Sequence, residues 1–233
     1  MERPVNQAFV PQMLSSGWTT RVGLARDSIR ARKTDEMRAV MPIALPEVLR
    51  LRKQTGADRF DEMWEGVLHM PPAPSFDHQN TASGICAFFR EVWAPKSGGF
   101  AVVQANVSTP DRWDRDYRIP DVAVMTRDAR PDPGAVYVLP TVAFEVRSPE
   151  DETFEKLSFY AAVGVNTVVV VERDTKAVQV FSRVGDRFVL EAPNPDGWLM
   201  ISGLEVEVRS DSTRGVGRLT LRLAGEPESV RIV

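Results

Sequence analysis

The stretch TVAFEVRSPEDETFEKLSFYAAVGVNTVVVV, residues 141–171, decides the fold class. It opens on the apolar residues Val142-Ala143-Phe144 and closes on Val168-Val169-Val170-Val171. A continuous β-branched run of this kind suits a strand buried on both faces. Between the two runs lie helix signals. Ser148 suits an N-cap and Pro149 a first helical position. Glu150, Asp151 and Glu152 suit the positive end of a helix, and Gly164 suits its stop. The reading is a strand over 141–146, a helix from Ser148 to Gly164, and a strand over 167–171. Such a unit makes a parallel strand pair joined by a right-handed crossover.

Upstream, residues 44–54 read as a short helix, with Leu45, Val48, Leu49 and Leu51 as an apolar side and Pro46 in its first turn. Residues 67–70 read as a strand ended by Pro71-Pro72. Residues 78–93 read as an amphipathic helix with Ile85, Phe88, Phe89 and Val92 inward, stopped by Pro95 and Gly98-Gly99. Further strands are expected over 100–107, 122–125, 178–182 and 187–191, with a turn at Gly185-Asp186. The tail from Gly215 alternates apolar residues and could add strands. The fold class is α/β or α+β, a mixed sheet flanked by helices with additional antiparallel strands.

The bulk numbers set the frame. A chain of 233 residues with 43% hydrophobic and 26% charged residues can bury a real core. The organisation expected is an extension over 1–36, a domain over 37–210 and a strand-forming tail over 211–233. The extension mixes Arg3, Arg21, Arg26, Arg30, Arg32 and Lys33 with weak periodicity, which fits a poorly ordered tail or a basic arm. The single Cys86 allows no internal disulfide and fits a reducing compartment. No apolar run approaches the ~20 residues of a transmembrane helix, so the protein reads as cytoplasmic. His69, His78 and Cys86 cannot make a usual zinc site. A net charge of -3 argues against a protein that coats nucleic acid, though a local basic groove stays compatible with it.

Three charged positions fall where chemistry is plausible. Asp121 follows Pro120 and starts the strand DVAVM; Glu145 sits near the end of the strand TVAFEV; Lys156 lies on the segment after it. Carboxylates at the mouths of two strands can share a hard divalent cation, which keeps several waters. The metal can polarise a phosphoryl oxygen, and a lysine can stabilise developing charge. Each residue also has a plainer reading. Glu145, costly inside an apolar strand unless paired, could pair with Arg147 or another arginine. Asp121 could cap a turn or a strand start, and Lys156 could be a solvated helix lysine.

The order of these pieces resembles a known group. YRIPDVAVM, then Glu145 24 residues after Asp121 in FEVRSPEDETFEKLSFYAAVGV, is similar to the PD-(D/E)XK nuclease superfamily, and more narrowly to its Uma-type family of restriction-endonuclease-like proteins. DEMWEGVLHM, PAPSFDHQ, Asn106, Lys156 with Tyr160, and TVVVVE match in order, so that the resemblance covers roughly residues 40–208. It implies a restriction-endonuclease-like core and a metal-dependent endonuclease acting on DNA. Asp121, Glu145, Lys156 and Glu62 would be catalytic, with Mg²⁺ (or Mn²⁺) on Asp121, Glu145 and the Val146 carbonyl. Glu62 would match an acid on the first helix of such cores, with Glu65 its rival. His78 would match a histidine after the Pro-rich turn, its plain role a helix-start cap. Glu65, His78, Arg147 and Tyr160 would support the site or touch substrate.

One departure matters. The motif's lysine, two residues after the second acid, is Arg147 here. Arginine does not give up its proton, and the resemblance moves the lysine to Lys156 on the following helix. The alternative is a catalytically inactive binding or assembly module on the same scaffold, favoured by the acidic balance and Arg147. A serine or histidine hydrolase finds no Gly-x-Ser-x-Gly elbow. The partners expected are DNA, no membrane and a homodimer; the loop RWDRDYR reads as a phosphate contact or as a solvated loop.

Overall fold

Strands Val142–Arg147 and Thr167–Glu172 pair in parallel, with Glu145 opposite Val170. The parallel pairing is as expected. The computed structural model describes residues 39–41, 45–149, 151–213 and 216–233. The extension over 1–36 lies outside the described residues.

In chain order the strands are β1 (Ala39–Met41), β2 (Glu62–Trp64), β3 (Val67–Met70), β4 (Phe100–Val103), β5 (Val122–Met125), β6 (Val142–Arg147), β7 (Thr167–Glu172), β8 (Val178–Val184) and β9 (Arg187–Leu190). Then come β10 (Leu199–Ile201), β11 (Val206–Thr213), β12 (Val216–Leu223) and β13 (Glu226–Ile232). The α-helices of seven residues or more are α1 (Pro46–Thr55), α2 (Phe76–Phe88) and α3 (Leu157–Val163); a four-residue helix lies at Ala94–Ser97. The central sheet has six strands in the order β4-β5-β6-β7-β8-β9, antiparallel except at β6–β7. A three-stranded sheet orders β1-β3-β2, and a four-stranded antiparallel sheet orders β10-β11-β12-β13.

The main core lies between one face of the central sheet, α2 and the four-stranded sheet. Ile85 and Phe89 from the α2 side meet Phe144, Val122 and Val169 of the central sheet and Ile201, Leu219 and Leu221 of the other, all wholly buried. Each such side chain contributes roughly 1.5–3 kcal/mol. The tail is thus part of the core, and β11 runs across residue 210 without a break. On the opposite face α3 covers Ala143, Val168 and Val170 with Phe159, Tyr160 and Val163.

Several elements differ from the sequence reading. The helix expected from Ser148 starts later, with a 3₁₀ turn at Phe154–Lys156 that leads into α3. Asp151 is the reason. Its carboxylate accepts the N–H groups of Ser148 (2.6 Å) and Thr153 (3.0 Å), folding the acidic segment into a loop. Gly164 ends α3 in the left-handed conformation, φ +94°, as foreseen. α2 starts at Phe76, because Ser75 rather than His78 is its N-cap, accepting the His78 N–H at 3.3 Å. Beyond Phe88 it runs on through a π-turn at Phe89–Trp93. The strand expected over 100–107 stops at Val103, since Gln104 has φ +53°; Val107 rejoins by bridges to Arg118 and Val138. α1 forms where expected but buries none of its residues. No helix among the described residues is long and apolar enough to cross a membrane.

Candidate active site

Glu145 projects from β6 on the side of Ala143, away from the main core. Glu145 is buried, and its carboxylate is enclosed by donors. Lys156 Nζ lies 3.2 Å from both its oxygens, and the Tyr160 hydroxyl donates to Oε1 at 2.5 Å. The late helix start is what makes this possible. Lys156 ends the 3₁₀ turn, one residue before α3, and points back at the strand. It was expected near the middle of a longer helix. Tyr160, one turn on, lies on the same helix face.

Lys156 has a second carboxylate partner, Glu62 Oε1 at 2.8 Å. Glu62 comes from strand β2, not from a helix as the resemblance implied. It is fixed by the Ile119 N–H (2.8 Å to Oε1) and the Trp64 indole N–H (2.8 Å to Oε2). A two-residue turn, Glu65-Gly66 with φ +49° and +87°, sets the hairpin register and places Glu62 opposite His69. Glu65 itself is exposed at that turn, its N–H bonded to Asp116, and the structure does not bring it to the site.

Asp121 stands just before β5. Its Oδ1 lies 2.7 Å from His78 Nε2, and its Oδ2 accepts the Val146 N–H at 2.7 Å. His78 is therefore a side-chain partner of Asp121 rather than a cap, and its Nδ1 is buried without a hydrogen-bond partner. Arg147 is bound elsewhere, to Glu172 at 2.9 and 3.2 Å, with its guanidinium over Phe154. The ion pair weighed between Glu145 and Arg147 is replaced by Glu145–Lys156.

The charges are coupled. Burial pushes the Glu145 carboxyl up to about 8; Lys156 pulls it down, Asp121 and Glu62 push it up, and the Tyr160 hydroxyl pulls it down. Burial also works against the Lys156 charge, yet Glu145 and Glu62 outweigh it and hold the ammonium above its ordinary range. Tyr160 is held well above the usual phenol value, by burial first and then by the charges of Glu145 and Glu62. Lys156 is thus a fixed cation and Tyr160 a fixed donor.

Among the described residues, no group of three or more His, Cys, Asp or Glu side chains forms a ready metal cage. Magnesium does not need one, since it is usually held by one or two carboxylates and several waters. Asp121, Glu145 and the Val146 carbonyl are hard oxygen donors of that kind. Asp121 and Glu62 both raise the Glu145 pKa, so a cation held between Asp121 and Glu145 would offset the repulsion that keeps the Glu145 proton in place.

A family model described as "Uma2: Putative restriction endonuclease" matches residues 45–214. The chain belongs to this family. Among solved structures, one titled "Crystal structure of a putative nuclease belonging to DUF820 from Anabaena variabilis" is similar at 17% identity and a TM-score of 0.50, covering 62% of this chain and 82% of that one. That likeness shows a shared fold. No curated protein matches.

In this Uma2 chain the sequence reading named the charged residues but missed what braces them. Arg118 is buried and sandwiched between Trp64 and Phe159, 4.2 Å from each ring centroid. It donates to Asp116 (3.0 Å) and to the Met63 carbonyl (2.8 Å). His69 stacks on the other side of Trp64 at 4.1 Å and meets Glu152 at 2.9 Å. The signal was in DEMWEGVLHM: Glu62 and Trp64 share a strand face by alternation, and the short turn fixes His69 beside them. The loop RWDRDYR is split between roles, with Asp116 and Arg118 inside and Trp113 44% exposed.

Proposed function

We propose that this protein is a metal-dependent endonuclease that hydrolyses DNA phosphodiester bonds, with Asp121, Glu145, Lys156 and Glu62 as its catalytic set. The observation that carries the reading is the convergence of these four charged side chains from separate elements, with Lys156 within 3.2 Å of both glutamates. Family membership supports the same class.

Asp121, Glu145 and the Val146 carbonyl would hold Mg²⁺ or Mn²⁺. The cation would supply positive charge to a phosphoryl oxygen and to an attacking water. Lys156, kept protonated by two glutamates, donates and does not abstract. It suits stabilising charge that builds on the phosphate. Glu62 anchors Lys156 through a carboxylate that Trp64 and Ile119 already hold in place. Tyr160 orients Glu145 from the helix side, and His78 and the Val146 N–H orient Asp121. Pre-set groups of this kind lower the cost of reorganisation when charge moves.

A second reading is an inactive nuclease-fold module that binds nucleic acid or protein. Its support is that Lys156 already neutralises part of the cluster and that Arg147 is tied to Glu172. One experiment separates the two: titration calorimetry of Mg²⁺ and Mn²⁺ into wild type, Asp121→Ala and Glu145→Ala, with plasmid nicking on the same samples. The nuclease reading expects saturable binding, lost in both variants, and nicking that needs metal. A folded wild type that binds neither ion at millimolar concentration leaves the inactive module.

A further inference from the structure

β9 closes one end of the central sheet, and among the described residues no strand pairs with its outer side. Its sequence with the next residue is Arg187-Phe188-Val189-Leu190-Glu191. Sheet edges are normally blunted by charge, proline or a bulge. The middle of β9 has none of these, and Val189 and Leu190 are 44% and 54% exposed.

We propose that this edge is a self-association surface, where a second copy of the chain adds its own β9 antiparallel about a twofold axis at Val189. The ladder fixes which groups are free. β8 and β9 pair with Leu190 opposite Phe181 and Arg187 opposite Val184, and the Glu191 N–H donates to Val180 O at 2.8 Å. Antiparallel bonding alternates along a strand. Arg187, Val189 and Glu191 therefore bond inward to β8, and Phe188 and Leu190 turn N–H and C=O outward. The Arg183 N–H agrees, since it leaves β9 for Asn166 O at 2.8 Å.

Only registers that match outward groups to outward groups can form. With the axis at Val189, Phe188 exchanges both hydrogen bonds with the partner's Leu190. Arg187 then faces the partner's Glu191, twice by symmetry. These are non-hydrogen-bonded positions, where opposed side chains come closest. Among the described residues neither Arg187 nor Glu191 has an ion partner in its own chain. Moving the axis to Phe188 sets Asp186 against the partner's Leu190 and Arg187 against its Val189. Moving it to Leu190 sets Arg187 against Pro193. Charge complementarity thus selects the Val189 register, and the partner it selects is a second copy. β13, the outer strand of the tail, is less suited: Glu226, Pro227 and Glu228 begin it, and proline offers no N–H.

The register gives a sharp test. Residues facing themselves across the axis at a non-hydrogen-bonded position lie about 4.5–5.5 Å apart at Cβ, within small adjustment of disulfide reach. Full-length Val189→Cys, oxidised with diamide at 50–100 µM protein (on the order of a moderate dimer constant), is expected to form a covalent dimer at least tenfold faster than Val184→Cys. Val184 is 58% exposed and lies off the axis, and the native Cys86 is buried, so the two variants share one background. In sedimentation of the reduced protein, Arg187→Glu should weaken self-association at least tenfold, and Arg187→Glu with Glu191→Arg should restore it. Equal crosslinking rates at 184 and 189, a wild type that stays monomeric at these concentrations, or a dimer indifferent to Arg187→Glu would each overturn the proposal. Circular dichroism of each variant confirms that the fold is kept.

Discussion

The two faces of the central sheet are built on opposite terms. On one, Val142, Phe144 and Val146 of β6 meet α2 and the four-stranded sheet in a core without charge. On the other, Ala143, Glu145 and Arg147 alternate with them, under a helix of only seven residues. The apolar face is thick, doubly covered and insensitive to pH. The charged face is thin and holds its groups by hydrogen bonds and ion pairs that need exact partners. One strand therefore serves fold and chemistry at once, with the pleat keeping the two apart.

The comparison can be broken most severely on the apolar face. Phe89→Ala removes a wholly buried ring that packs against Phe144 and Trp93. It should cost about 3–5 kcal/mol, read as a lower denaturation midpoint with an unchanged slope. A cost below about 1 kcal/mol would mean that this face is not where stability resides.

The charged face should answer to pH. A Glu145 carboxyl raised to about 8 holds its proton in the folded state while the unfolded chain releases it from about 4.5 upward. The contribution of Glu145 to the stability of the metal-free protein is then full below that lower value and is lost as pH rises towards 8, by on the order of 5 kcal/mol. Lys156, raised from an ordinary value of 10.5, does not titrate in this window. Glu145→Gln should flatten the slope between pH 5 and 8 in chelator. An unchanged slope would place the titrating group elsewhere.

The smallest effect sharpens the link between the faces. Ser75→Ala removes the N-cap of α2, the helix that carries His78 to Asp121 on one side and Ile85 to the core on the other. It should cost about 1 kcal/mol by thermal unfolding, with the central sheet's circular dichroism unchanged.

Much of this was legible in the chain because periodicity writes burial directly. The run Val168–Val171 and the β6 sequence fixed a buried parallel pair, and Asp121, Glu145 and Lys156 stood out as charges against an apolar ground. What escaped was set by side chains competing with backbone. Asp151 bonds the Thr153 N–H, which a helix from Ser148 would have turned to the Pro149 carbonyl, and α3 begins only after Lys156. Gln104 takes a left-handed conformation that its type does not announce. The Trp64–Arg118–Phe159 stack joins residues far apart in sequence, and only the folded topology brings them together. The apolar side of α1 was a sound helix signal and an unsound burial signal, since periodicity tells which residues share a side but not what lies opposite.

The hydrogen bond from the Val146 N–H to Asp121 has a further use. The β5–β6 ladder ends with Val122 opposite Phe144; the same register continued sets Pro120, two residues further on, opposite Val146, and there the Asp121 side chain rather than main chain accepts the Val146 N–H. A peptide proton inside a core strand is thereby wired to a carboxylate of the site. Its amide resonance and its exchange with deuterium would register anything that changes the charge or position of Asp121, which gives this protein a built-in spectroscopic probe at a position where no label need be attached.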